Sequence, residues 1–251
     1  MKIELFSIGP LTVHGYGFMI ALGILCCVAM ASYRAKKYNM NPDAVLDIAI
    51  YGVLFGFLGA KLMYVIVEFP RFIKDPMSIL GSEGFVVYGG IIAGVLAAIA
   101  YCRIKKLKFL EYFDLCAPSI ALAQGFGRIG CFLAGCCYGR PTESIFGVVF
   151  PEGCLAPAGV KLLPTQLFSS AGDFLIALVL ILYYKKKKCT GDVGALYMLL
   201  YGVGRFLIEM LRNDNRGAVG TLSTSQFISV FIVLGSLVMF TWNRKRNSKT
   251  A

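Results

Sequence analysis

Long uncharged apolar runs, separated by short clusters of Lys and Arg, constrain this chain more than any other feature. A helix that crosses the bilayer core needs about 20 largely apolar residues in succession. Seven stretches meet that need, at roughly 12–33, 44–68, 85–102, 115–134, 165–184, 194–211 and 221–242. Of the 251 residues, 57% are hydrophobic and only 16% charged. A soluble domain carries about a quarter charged residues, so the composition argues against a soluble globule. The aromatic and branched aliphatic content excludes intrinsic disorder. The net charge of +11 does not point to nucleic acid, because the basic residues sit between the apolar runs, as in membrane loops. Ala29-Met30-Ala31 mimics a signal-peptide cleavage site. The first run is nevertheless too long for such a peptide, and only Lys2 precedes it, offset by Glu4. The expectation is an all-α integral membrane protein, one polytopic domain over 1–251 built as a bundle of about seven transmembrane helices.

The loop charges predict an orientation. One side holds fifteen basic residues: Arg34, Lys36 and Lys37; Arg103, Lys105, Lys106 and Lys108; Lys185 to Lys188; and Arg244, Lys245, Arg246 and Lys249. The other side holds seven: Lys2, Arg71, Lys74, Arg140, Lys161, Arg212 and Arg216. The excess of Lys and Arg marks the cytoplasmic face, which puts the N-terminus outside and the C-terminus inside. Trp242, Tyr183 and Tyr184 fit an interfacial belt on the cytoplasmic side. The longest connection, 135–164, holds Pro141, Pro151, Pro157 and Pro164 and reads as an extracytoplasmic cap.

Lys61, Arg128 and Arg205 fall within predicted spans. Ionisable residues there are expensive and mark function. Arg128 lies about six residues from the outer end of the fourth span, roughly 9 Å deep at 1.5 Å per residue. Gln124 and Cys131 sit one turn to either side of it. Tyr201, Arg205, Glu209 and Arg212, spaced by 4, 4 and 3, form one polar stripe on an apolar helix. His14, Tyr16, Tyr88 and Gln166 fall near the outer ends of other spans. Together they outline a site for an amphiphile, cationic at headgroup level and apolar below.

Plainer readings stand beside these. Glu209 can neutralise Arg205 within one helix, and Arg128 can reach the interface by snorkelling. Lys61 with Glu68 reads as structural. Glycines 52, 56, 59, 90 and 94 suit close helix packing. Cys131, Cys136, Cys137 and Cys154 allow a disulfide or a thiolate metal site. The C-x4-C-C spacing matches no common zinc pattern, so a disulfide is favoured and no metal or cofactor is expected.

The stretch Gly127-Arg128-Ile129-Gly130-Cys131-Phe132-Leu133-Ala134-Gly135-Cys136-Cys137-Tyr138-Gly139-Arg140 resembles the signature of the prolipoprotein diacylglyceryl transferases. In order along the chain, further segments are similar to that family: His14-Gly15-Tyr16-Gly17, Tyr88-Gly89-Gly90, Pro164-Thr165-Gln166, Tyr201-Gly202-Val203-Gly204-Arg205-Phe206, and Leu222-Ser223-Thr224-Ser225-Gln226. The resemblance implies a seven-helix enzyme of the bacterial cytoplasmic membrane, its active site toward the outer leaflet. It implies transfer of a diacylglyceryl group from phosphatidylglycerol to a lipobox cysteine in a prolipoprotein signal peptide, with glycerol phosphate released. Arg128 and Arg205 match essential family arginines, and Tyr16 and Tyr201 match residues at the site. Gln124, Cys131, Gly139, Gln166, Glu209 and Arg212 complete the implied binding set.

Several positions depart from the pattern. Tyr88 stands where the family has a histidine proposed as thiol base, Cys131 replaces the signature asparagine, and Cys136 replaces the glutamate. Ala134 and Leu163 replace a second asparagine and a second histidine. His14 is the alternative base. The departures keep open a related transferase with a non-lipoprotein acceptor, and the cationic cavity alone would equally serve a lipid-binding or transport protein without chemistry.

Overall fold

The structure is a computed structural model that describes residues 4–8, 11–82, 84–214 and 217–247. Two strands, β1 (Glu4–Ile8) and β2 (Leu11–His14), precede α1 (Gly15–Lys37) and α2 (Pro42–Val67). Two short helices follow, α3 (Phe69–Lys74) and α4 (Pro76–Leu80), then α5 (Val87–Ile104) and α6 (Phe109–Ala134). After β3 (Val148–Val149) and β4 (Lys161–Leu162) come α7 (Thr165–Tyr184) and α8 (Asp192–Glu209). The chain closes with β5 (Ala218–Val219), β6 (Leu222–Ser223) and α9 (Thr224–Asn247).

Among the described residues, five helices are long and apolar enough to cross a membrane: α1, α2, α5, α7 and most of α9. The chain is therefore a helical, multi-pass membrane protein. The other two predicted runs are also helical, as α6 and α8. Gln124 and Arg128 in α6, and Arg205 and Glu209 in α8, interrupt their apolar character. The first predicted run begins too early, because Leu11–His14 pairs antiparallel with β1 and the helix starts only at Gly15.

The chain divides into two compact units. One comprises residues 31–112. Its centre is the pairing of α2 with α5, which the sequence foreshadows in its glycines. A Cβ at Gly59 would lie 2.6 Å from the carbonyl oxygen of Gly89, and one at Gly89 would strike the Gly59 carbonyl and Met63. The two backbones touch directly, as small residues permit between membrane helices. Ile50, Phe57, Leu62, Ile66 and Leu96 remain exposed, an apolar surface that suits lipid. Lys61 is structural, but not through Glu68. Its Nζ donates to the carbonyl of Ser82 at 2.7 Å and lies over the rings of Tyr64 and Phe85, while Glu68 pairs with Arg71 at 3.2 Å.

The other unit comprises residues 1–30 and 113–251. Here α7 packs on α8 and α8 on α9. Asp114, fully buried, accepts from the backbone N–H groups of Gly191 and Gly194 at 2.8 Å each, and from Lys187 Nζ at 3.0 Å. A carboxylate thus satisfies one orphan donor in the first turn of α8 and that of the preceding Gly191, and complements the helix dipole. Trp242 is exposed under Arg246, as an interfacial ring would be, whereas Tyr184 is buried beneath Lys187. The 135–164 connection folds compactly: β3 pairs with β4, and Phe150, Ala156 and Leu162 form a small core with Phe132, Tyr138 and Cys154.

Candidate active site

The end of α6 explains the cysteines. Cys136 N–H donates to the Cys131 carbonyl at 3.1 Å and Gly135 N–H to Phe132 at 3.2 Å. With Gly135 at φ +70°, this is a Schellman cap. That cap sets the side chain two residues past the helix against the one five residues before it, here Cys136 against Cys131. Cys137 then adopts a left-handed φ of +61°, a conformation rare outside glycine. The sulfurs of Cys131, Cys136 and Cys137 all lie within 4.8 Å of one another. All are free thiols, so the favoured disulfide is absent from this structure, and Cys154 lies outside the group in the loop core. Hydrogen bonds from Cys131 and Cys136, with Arg212 and Arg128 nearby, hold the Cys137 thiol below the ordinary thiol range. Bonds to Cys131 and Cys137 push Cys136 upward.

Thr165 and Gln166 lock this turn from α7. Thr165 Oγ1 donates to the Cys137 carbonyl at 2.8 Å, and Gln166 Nε2 to the Cys136 carbonyl at 2.7 Å. Gln166 is almost wholly buried, so it positions the cysteine turn. Gly139 does similar work, bridging to Arg212 and donating to the Leu163 carbonyl at 2.9 Å.

The predicted polar stripe is a neutralised array, though α8 ends at Glu209 and Arg212 lies in the turn beyond it. Arg205 Nη2 meets Glu209 Oε2 at 2.7 Å and donates to Ser225 Oγ at 2.8 Å. Ser223 Oγ donates to Glu209 Oε1 at 2.9 Å. Arg212 reaches Glu209 at 3.6 Å and clasps Asp214 bidentately at 3.0 and 2.6 Å. Burial opposes the Arg212 charge, but Asp214, Cys137 and Glu209 outweigh it and raise its pKa. Ser223 and Gln226 form a capping box at the start of α9: Gln226 Oε1 accepts from Ser223 N–H, and Ser223 Oγ from Gln226 N–H.

Beside this array lies a small open-sided cavity of about 60 Å³. Arg128, Asp173, Tyr201 and Arg205 supply its polar wall, and Phe168, Ile176 and Ile208 its apolar one. Among the described residues Arg128 has no ion-pair or hydrogen-bond partner; it lies within electrostatic reach of Asp173, Tyr201, Cys131 and Cys137. Asp173, only 6% exposed, is the residue that sequence reasoning missed. An acidic residue inside an apolar run was the available signal.

The other predicted residues are spread more widely. Tyr16 lies against α6, where a Cβ on Gly130 would come within 3.2 Å of its ring. Gln124 Oε1 accepts from Tyr197 OH at 2.9 Å, and Tyr197 stacks on Tyr201. His14 is exposed at the end of β2 and does not line the cavity. Tyr88 belongs to the 31–112 unit, in the first turn of α5.

An arginine with no ion-pair or hydrogen-bond partner among the described residues thus lines an amphipathic cavity beside a neutralised arginine–carboxylate array, in a multi-pass membrane protein. The family model described as prolipoprotein diacylglyceryl transferase matches residues 3–242, and the chain belongs to that family. It is 48% identical to the phosphatidylglycerol–prolipoprotein diacylglyceryl transferase of Clostridium tetani over 98% of this chain and 99% of that one. It is also 48% identical to the Clostridium perfringens protein named phosphatidylglycerol–prolipoprotein diacylglyceryl transferase 2, over 99% of this chain and 98% of that one. The relative from Staphylococcus haemolyticus, of the same name as the first, is 33% identical over 95% of this chain and 87% of its own.

Proposed function

We propose that this protein transfers a diacylglyceryl group from phosphatidylglycerol to the thiol of a lipobox cysteine in prolipoproteins. The sulfur attacks the glyceryl carbon that bears the phosphate oxygen. A C–S bond forms, the C–O bond breaks, and glycerol phosphate leaves. The observation that carries this reading is Arg128: a guanidinium lining an amphipathic cavity, with no hydrogen-bond or ion-pair partner among the described residues. Arginine grips phosphate bidentately and stays charged when buried. Arg205 and Tyr201 extend the polar wall toward the departing phosphate. Preorganised charge in a dry site lowers such a barrier by several kcal/mol. Phe168, Ile176 and Ile208 suit the acyl chains.

In this proposal α6 and α8 also span the membrane, making seven spans with the N-terminus outside and the C-terminus in the cytoplasm. The loop charges support that orientation. The 135–164 region is then an extracytoplasmic cap, and the site works at the outer leaflet of the bacterial cytoplasmic membrane. A reconstituted assay tests the reaction: purified protein, phosphatidylglycerol vesicles and a synthetic lipobox peptide, wild type beside Arg128→Ala. A diacylglyceryl thioether from wild type alone supports the proposal. Glycerol phosphate released without a peptide adduct means another acceptor, and neither product means a lipid-binding protein.

A further inference from the structure

The reaction needs a thiolate, and the ordinary thiol pKa is about 8.5. The chain's single histidine, His14, is exposed and does not line the cavity. Three cysteine sulfurs, however, converge one helical turn from Arg128. Cys131 lies three residues beyond it on α6, on the same face. A zinc ion with sulfur ligands at about 2.3 Å places those sulfurs about 3.8 Å apart. Sulfurs already within 4.8 Å need shift by no more than roughly that difference. The Schellman cap, the left-handed Cys137 backbone and the two hydrogen bonds from Thr165 and Gln166 preorganise the group. Arg128 and Arg212 lie within electrostatic reach and offset the negative charge of a tris-thiolate.

Three protein ligands and one open position are the pattern of a catalytic zinc ion rather than a structural one. We propose that Cys131, Cys136 and Cys137 hold a thiophilic divalent cation, zinc by geometry, whose fourth position takes the acceptor thiol as a thiolate. This rests on the transferase reading. A coordinated thiol is deprotonated outright, its proton passing to water. The bound sulfur attacks the glyceryl carbon, and the C–S bond forms as the carbon–phosphate oxygen bond breaks. The electron pair leaves on glycerol phosphate, beside Arg128. The thioether, a weaker donor than a thiolate, dissociates from the metal and reopens the position.

The test uses the full-length protein, purified without chelators and loaded with Zn(II) or Co(II). Expected are about one metal ion per chain by mass spectrometry and a sulfur-to-cobalt charge-transfer band. A lipobox peptide should strengthen that band, and the same peptide with serine for cysteine should not. Cys136→Ser and Cys137→Ser should weaken metal binding at least about 100-fold, beyond what loss of a second-shell group costs. Cys154→Ser, outside the triad, should leave it unchanged and shows that a cysteine-to-serine change is tolerated. Adduct formed at the wild-type rate by metal-stripped protein overturns the inference and leaves the transferase reading intact. A disulfide within the triad in the active protein overturns it as well. A cobalt band that answers to the peptide thiol, with no adduct from phosphatidylglycerol, keeps the metal site and refutes the transferase reading.

Discussion

Arg128 is the position where removal of one group should cost most. Its fork has no hydrogen-bond or ion-pair partner among the described residues, whereas Arg205 is engaged by Glu209 and Ser225, and Arg212 by Asp214. A charge-assisted hydrogen bond contributes about 1.5–3 kcal/mol. A bidentate grip on phosphate makes two such bonds, so Arg128→Ala forfeits about 3–6 kcal/mol of transition-state stabilisation. At about 1.4 kcal/mol per tenfold, kcat/KM should fall roughly 10²- to 10⁴-fold. Arg128→Lys keeps the charge but not the fork. It loses about one bond, and kcat/KM should fall roughly 10- to 100-fold. The assay is the initial rate of glycerol phosphate release from phosphatidylglycerol vesicles with lipobox peptide in excess. Arg212→Lys is the comparison: its side chain is 7% exposed, committed to Asp214 and outside the cavity lining. It should lower the thermal midpoint and reduce kcat/KM by less than Arg128→Lys does. The reasoning fails if Arg128→Lys turns over at the wild-type rate, or if the two lysine variants lose kcat/KM equally.

The cap and the helix crossings yield three further expectations. Gly135→Ala places an L-residue at φ +70° with its Cβ 2.7 Å from that of Cys154. The left-handed backbone costs about 1–2 kcal/mol and overpacking about 1–3 kcal/mol more, so thermal unfolding in detergent should shift down and iodoacetamide should label Cys136 faster. Ser223→Ala removes the helix cap of α9 and the bond to Glu209. At about 1 kcal/mol for the cap, the midpoint should drop by about 2–4 °C in differential scanning fluorimetry; an unchanged midpoint contradicts the assigned capping box. Gly89→Val drives side-chain atoms into the Gly59 carbonyl and Met63. It should destabilise the α2–α5 pair by about 1–3 kcal/mol, read as faster proteolysis within residues 31–112.

Local features were legible in the sequence. The apolar runs became helices because length and hydropathy act within one segment. The Arg205–Glu209 pair formed as its i,i+4 spacing dictates. The glycines of α2 and α5 pack as small residues in membrane helices should. The binding residues were harder to sort by role. Gln166 and Gly139 share a motif with the arginines, but they brace a turn. Arg212 reads as a site cation and is held by Asp214. Asp173 shows in the sequence only as an acid inside an apolar run, and the cavity it shares with Arg128 and Arg205 gives that acid its meaning.

The cysteines mark the boundary most clearly. C-x4-C-C resembles no common metal spacing, since such spacings presume a knuckle or hairpin between ligands. In this chain a Schellman cap folds Cys136 back onto Cys131, and side chains almost thirty residues away hold Cys137 in a left-handed backbone. The sequence alone determined that the chain is built of long apolar helices, some of them interrupted by arginines, because burial in lipid is a property of each segment. Only the tertiary structure decided which arginine stays uncommitted and which thiols meet. Those outcomes depend on partners brought from other helices, and no spacing along the chain encodes them.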